Sequence, residues 1–161
     1  MTGFDLWILP TFGERKPFPY LVTRFEESLA ALAPNGHWMA YVSDESGRRE
    51  LYVQTFPKPG NKQQISVDGG FAPIWSLDGR ELFYGHPSGR VTSVAIRADT
   101  ASIDVGVPRT VFTWPAEKFG RLRGFDVAPG GRFVSALETS EGASRIPALI
   151  LNWPELMKRK E

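Results

Sequence analysis

No cysteine occurs among the 161 residues, so disulfides, thiolate nucleophiles and cysteine-ligated zinc are all excluded. Histidine is nearly as scarce. His37 and His86 are the two present, too few for a three-histidine zinc site within the chain. An excess of charge of either sign is also lacking: Lys and Arg number 19 against 18 Asp and Glu, a net charge of +1. That balance offers no concentrated basic footprint for nucleic acid, and the one basic run, Lys158-Arg159-Lys160, reads as a solvated C-terminal tail. No apolar run approaches the roughly 18 residues that a membrane span needs. The opening Met1-Thr2-Gly3-Phe4-Asp5 has no charged-then-apolar secretion signal, so the chain as given is expected to be soluble and cytoplasmic. Catalytic signatures are missing too: there is no Gly-x-Ser-x-Gly elbow, no kinase Gly-rich loop, no His-Arg-Asp and no Asp-Phe-Gly.

What the chain does have is turn formers, 16 Gly and 13 Pro spread along its whole length, with little helical periodicity. Many short strands are the expected result. Three segments repeat one pattern of turn glycine, bulky residue and apolar strand: Ala33-Pro34-Asn35-Gly36-His37-Trp38-Met39-Ala40-Tyr41-Val42, Ser76-Leu77-Asp78-Gly79-Arg80-Glu81-Leu82-Phe83-Tyr84 and Ala128-Pro129-Gly130-Gly131-Arg132-Phe133-Val134. Gly36, Gly79 and Gly131 lie 43 and 52 residues apart, a period that suits one four-stranded propeller blade of ~40–50 residues. Asn35-Gly36, Asp78-Gly79 and Gly130-Gly131 are tight-hairpin dipeptides, because their backbones accept positive φ cheaply. The strand after each turn is apolar on both faces, as expected of a sheet covered on both sides.

The expected fold is therefore all-β, a partial propeller of about three and a half four-stranded antiparallel blades in one domain. A half blade spans 4–23 with strands at Leu6–Leu9 and Phe18–Leu21. A blade over 24–68 holds Leu29–Leu32, Trp38–Val42, Leu51–Thr55 and Gln63–Ser66. The next, 69–113, holds Pro73–Trp75, Leu82–Tyr84, Val91–Ile96 and Arg109–Phe112. A partial blade over 120–153 holds Phe125–Val127, Phe133–Ala136 and Ala148–Leu151, and 154–161 is tail. Glu26–Leu29 has helix-forming composition and could make one helical turn.

These turns, with Val42–Val53, Gln64-Ile65-Ser66 and Leu151-Asn152-Trp153, resemble the TolB-like, WD-related β-propeller repeat. They look like the C-terminal propeller portion of large bacterial sensor proteins, some of which carry a serine/threonine kinase domain ahead of it. Leu77 stands where that repeat has a turn proline, and Asn35 and Gly130 where it has aspartate. The resemblance implies an interaction or ligand-binding module without catalytic signature, extracytoplasmic if cut from a longer sensor. Closed propellers usually need about four to eight blades, so an open arc is expected to associate with further copies of itself, with another protein or a small-molecule ligand as further candidate partners.

Calcium-dependent propeller lactonases, brought in by the same analogy, suggest the alternative of a metal-dependent hydrolase of lactones or esters. In it, Ca²⁺ held by about six to eight oxygens polarises the carbonyl. The candidate ligands near inner-strand starts are Glu26, Glu27 and Asp68, with Arg121 and Arg123 as anion partners. Trp114 and Phe119, in the insertion 113–122, are candidates for an aromatic contact site or for packing across one end. His37 and His86 read as surface or structural histidines. Asp44, Glu45, Asp78 and Asp126 read as turn or strand residues, and no serine stands out as a nucleophile.

Overall fold

A computed structural model of the chain describes residues 3–115, 124–128, 131–135 and 149–150, the last pair by backbone alone. Among the described residues every regular element is a strand and every pairing is antiparallel. No helix there is long and apolar enough to cross a membrane. β1 (Leu6–Ile8) and β2 (Phe18–Leu21) form a two-stranded ribbon. β3 (Glu27–Leu32), β4 (Trp38–Ser43), β5 (Glu50–Thr55) and β6 (Gln63–Gln64) form a sheet in chain order.

The third sheet contains β7 (Phe71–Trp75), β8 (Glu81–Gly85), β9 (Arg90–Ala98), β10 (Ile103–Val105) and β11 (Arg109–Thr113). β11 pairs with Arg90–Ser93 and β10 with Ile96–Ala98, so the two share one edge of the long β9. β12 (Asp126–Ala128), β13 (Arg132–Val134) and β14 (Leu149–Ile150) complete the described strands. They form a fourth sheet, and the described strands close no barrel.

The strand pattern expected from sequence needs two corrections. The segment at Glu26–Leu29 makes no helical turn. Glu27 opens β3 because its register with Ser43 continues the hairpin seeded at Asn35-Gly36, and tertiary pairing overrides helix propensity there. The third sheet also has five strands where four were expected. Asp99 turns the chain by accepting from the Ala101 and Ser102 amides at 2.7 and 2.6 Å, which returns Ile103–Val105 along β9.

The 43-residue translation holds at the level of single hydrogen bonds. Ala33 N donates to Trp38 O and Ser76 N to Glu81 O, each at 2.8 Å, and Gly36 and Gly79 sit at φ +70° and +69°. A bulge interrupts β3 between Ser28 and Ala31 and β7 between Phe71 and Ile74, again 43 apart. Leu29 and Ala72 occupy those bulges at φ +52° and +49°.

Burial follows the strand alternation. Trp38, Ala40 and Val42 of β4, with Leu51 and Val53 of β5, pack against Trp75, Leu82, Tyr84, Val94 and Ile96 of the third sheet. The opposite face of that third sheet supplies Phe83, Val91 and Val111, which pack with Trp114 and Phe133. Each apolar cluster is thus shared by two sheets consecutive in the chain. The second sheet's other face carries Tyr41, Tyr52 and Glu27, all buried. Tyr20 of β2 anchors the ribbon there, donating from its hydroxyl to Thr55 O at 2.6 Å with its ring 5.6 Å from Phe56. Burial pushes the Tyr20 phenol up to about 12.

Candidate functional site

The hairpin between β8 and β9 is the segment His86-Pro87-Ser88-Gly89, and Gly89 at φ +86° closes it by donating to His86 O at 2.8 Å. Beside it runs the connection 65–70 between β6 and β7. A buried carboxylate sets that connection. Glu50 is 1% exposed, yet it accepts from the Ser66 hydroxyl, from Gly69 N at 3.0 Å to both oxygens, and from Arg48 Nε at 2.6 Å. Ser66 Oγ in turn accepts from Leu51 N at 2.8 Å. A buried charge is tolerable only when its lone pairs are satisfied in this way, and the satisfied network fixes Asp68 against the hairpin.

Asp68, His86 and Ser88 form a line. Ser88 N donates to His86 Nδ1 at 3.0 Å, which makes that nitrogen an acceptor and leaves the ring proton on Nε2. Nε2 then donates to Asp68 O at 2.7 Å and lies 3.3 Å from the Asp68 carboxylate. Ser88 Oγ is 2.6 Å from Nδ1, so its hydroxyl points its proton at the same acceptor. Arg90 bonds the Asp68 carboxylate at 2.5 Å and holds its carboxyl below the usual range, with burial opposing and the nearby His86 assisting. A guanidinium carries about five N–H donors, so Arg90 keeps donors for a second anion.

A cleft of about 440 Å³, walled by Gln64, Ser66, Asp68, Tyr84, Val105 and Pro108, meets this line at Asp68, while His86 and Ser88 do not line it. Tyr84 is buried and its phenol is pushed up by that burial. The wall mixes apolar side chains with a few polar ones, as small-molecule sites do.

The carboxylates singled out in the sequence do not converge. Glu26 pairs with Arg49, and its amide donates to Asp44 Oδ1 at 2.9 Å. Glu27, the next residue along a strand, is buried, with one oxygen accepting from Thr23 Oγ1 at 2.5 Å. Asp68 stands on the 65–70 connection with Arg90 and His86. Among the described residues no group of three or more His, Asp or Glu is placed to hold a metal ion. A calcium ion wants about six to eight oxygens, and this donor set does not fit one. Trp114 is buried at 3% exposure in the core with Phe83 and Val91. Arg121, Arg123 and Phe119 lie outside the described residues.

Ser88 and Glu50 were not singled out by sequence reasoning. Glu50 meets Ser66 and Gly69 from 16 and 19 positions away, and Asp68 reaches the hairpin's His86 and Arg90 across 18 and 22, separations that carry no local signal. The one available hint was His-Pro-Ser-Gly as an unusual hairpin loop.

No protein family matches the chain, and no curated protein does. The expected membership of the TolB-like propeller family is thereby corrected. Asp-Gly and Asn-Gly turns followed by apolar strands specify hairpins, which many families share. A solved structure described as luciferin-regenerating enzyme is similar over 80% of this chain and 45% of its own, at 19% identity and TM-score 0.50. The chain thus spans less than half of that structure, and at this identity the likeness establishes a common fold alone.

Proposed function

We propose that the chain carries a hydrolytic site for carboxylic esters or lactones, centred on Ser88 and His86, with Asp68 linking the pair to the cleft. The observation that carries this reading is the Ser88–His86–Asp68 alignment, in which a hydroxyl faces an imidazole nitrogen that has no proton of its own. Nδ1 accepts the Ser88 proton as Oγ attacks the carbonyl carbon. The imidazolium so formed keeps its Nε2 proton on Asp68, whose charge Arg90 preserves. Collapse of the adduct expels the alcohol, which takes the proton from Nδ1, and water repeats the sequence to release the acid. In this reading the Arg90 N–H donors beyond the one on Asp68 serve the developing oxyanion. A hydrolase reading also accords with the fold shared with an enzyme.

We also read the stacked sheets as consecutive blades of an open propeller arc of about three and a half blades. The support is face-to-face packing in chain order and the 43-residue translation of bulge and turn.

The test is turnover of p-nitrophenyl acetate and a medium-chain lactone. Ser88→Ala and His86→Ala are each expected to lower kcat/KM by about 10²–10⁴-fold, with no loss on adding a chelator. Undiminished turnover in Ser88→Ala sinks the proposal, and turnover abolished by chelation transfers it to metal chemistry.

A further inference from the structure

The β1–β2 ribbon has almost no core of its own. Within residues 3–22 Tyr20 alone is buried, while Phe4, Trp7, Leu9, Phe12, Phe18 and Val22 are exposed. Among the described residues no strand of another sheet pairs with the ribbon, and an isolated two-stranded hairpin is marginal in water. It is tied to the second sheet by the Tyr20 hydroxyl, which donates to Thr55 O at 2.6 Å, and by Glu27 N, which donates to Phe4 O at 2.8 Å.

The sheet face beneath Tyr20 is polar. Met39, Tyr41 and Ser43 alternate onto one face of β4, where they pair with Gln54, Tyr52 and Glu27, so Glu27, Tyr41 and Gln54 share that face. Tyr20 reaches the same face. Burial pushes its phenol up against the opposing Gln54 amide, and burial, then Glu45, Tyr20 and Glu27, push up the Tyr41 phenol. Glu27 Oε2, Tyr41 Oη and Gln54 Nε2 are the buried side-chain polar atoms without a hydrogen-bond partner among the described residues. The Gln54 amide thus lies near the Tyr20 hydroxyl without bonding to it. Leaving such atoms unpaired away from water is costly, and all three sit on the face that the ribbon helps to close.

We propose that the ribbon is a lid, which opens as a unit to let water reach Glu27, Tyr41 and Gln54 while the second sheet stays folded. The proposal is independent of the hydrolytic reading. Opening gives up the two tying hydrogen bonds and the Tyr20–Phe56 contact, and it hydrates three orphaned atoms at once. An element with so little buried apolar surface is the kind that opens below the threshold of global unfolding. Charge biases the opening. Asp5, at the start of the ribbon, faces Glu27 together with Thr23, with Asp44 and Glu45 from the β4–β5 turn, and with Tyr41. Arg49 and Lys62, from β5's flanks, are engaged by Glu26 and Glu45. Once Glu27 ionises, the closed lid holds an under-solvated charge close to that of Asp5, and opening relieves both the burial and the repulsion.

Hydrogen exchange of the full chain is the test, read at β1, β2 and the Glu27 amide against β4 and β5. The ribbon and Glu27 amides are expected to exchange together, at least ~10-fold faster than those of β4 and β5. Tyr20→Phe keeps the ring and removes the bond to Thr55. It is expected to speed ribbon exchange roughly 3–10-fold and to leave β4 and β5 unchanged. Glu27→Gln is expected to slow ribbon exchange, and the ratio of wild type to variant at matched pH should grow from about pH 5 to about pH 8. Ribbon amides that exchange in step with β4 and β5 overturn the proposal. So does a Tyr20→Phe chain whose ribbon exchanges no faster than wild type, or a Glu27→Gln ratio that stays flat with pH.

Discussion

Two glutamates at 1% exposure show how differently a buried charge can be handled. Glu50 has both oxygens bonded and holds the connection that carries Asp68. Glu27 has one oxygen on Thr23, while Oε2 is buried without a partner, as are Tyr41 Oη and Gln54 Nε2. Burial, opposed by the Thr23 hydroxyl and reinforced by Asp5, Glu45 and Asp44, pushes the Glu27 carboxyl above its ordinary value. The folded state therefore holds that proton more tightly than the unfolded chain. Stability is undiminished below the unfolded carboxyl value and falls as pH rises towards and through the raised folded one. Glu27→Gln keeps an acceptor for Thr23 and removes the charge. Its Tm at pH 8 is expected to exceed wild type by roughly 2–4 °C, with the gap closing near pH 4. A gap that does not change with pH rules this account out. That Glu26 and Glu27 part company was not legible, because the sequence put the inner strand at Leu29–Leu32 and both glutamates ahead of it, whereas β3 starts at Glu27. Nor was the dry face legible, since it depends on Tyr20 arriving from β2.

Among the elements, the turns were readable and the bulges were not. Asn35-Gly36 and Asp78-Gly79 announce hairpins because glycine takes positive φ at no steric cost. Leu29 and Ala72 adopt positive φ without any residue type that signals it, so the inner strands were expected shorter and unbroken. An L-residue there costs roughly 1–2 kcal/mol, held in place by the pairings on either side. Opposite signs follow for two substitutions in one repeat. Ala72→Gly is expected to raise stability by up to ~1 kcal/mol, and Gly79→Ala to lower it by about 1–2 kcal/mol. Gly85→Ala is a harsher case, because a Cβ would meet the Phe71 ring at 2.6 Å. Overpacking of that kind costs about 1–3 kcal/mol. Urea melts of the three variants check the order, and a stabilising Gly79→Ala contradicts the strain argument.

At the scale of the whole molecule the all-β class was legible, since evenly spaced turn glycines with apolar runs between them leave few alternatives. The family was not, because a hairpin repeat constrains backbone geometry and says little about ancestry or chemistry. The arrangement has a consequence for unfolding. The two apolar clusters share no residue, and each links one sheet to the next. Stability then divides into terms between neighbouring sheets. Phe133 is the centre of the second cluster, with its ring 5.4 Å from Phe83, 5.0 Å from Phe112 and 5.9 Å from Phe125. Phe133→Ala is expected to cost about 3–5 kcal/mol locally. In hydrogen exchange, protection should collapse across β12 and β13 and weaken in β8 and β9. It should survive in β4 and β5, which contribute no residue to the second cluster. Equal loss of protection in β4 and β5 means that the sheets unfold as one unit, and the stacking then acts as a single core with no separable steps.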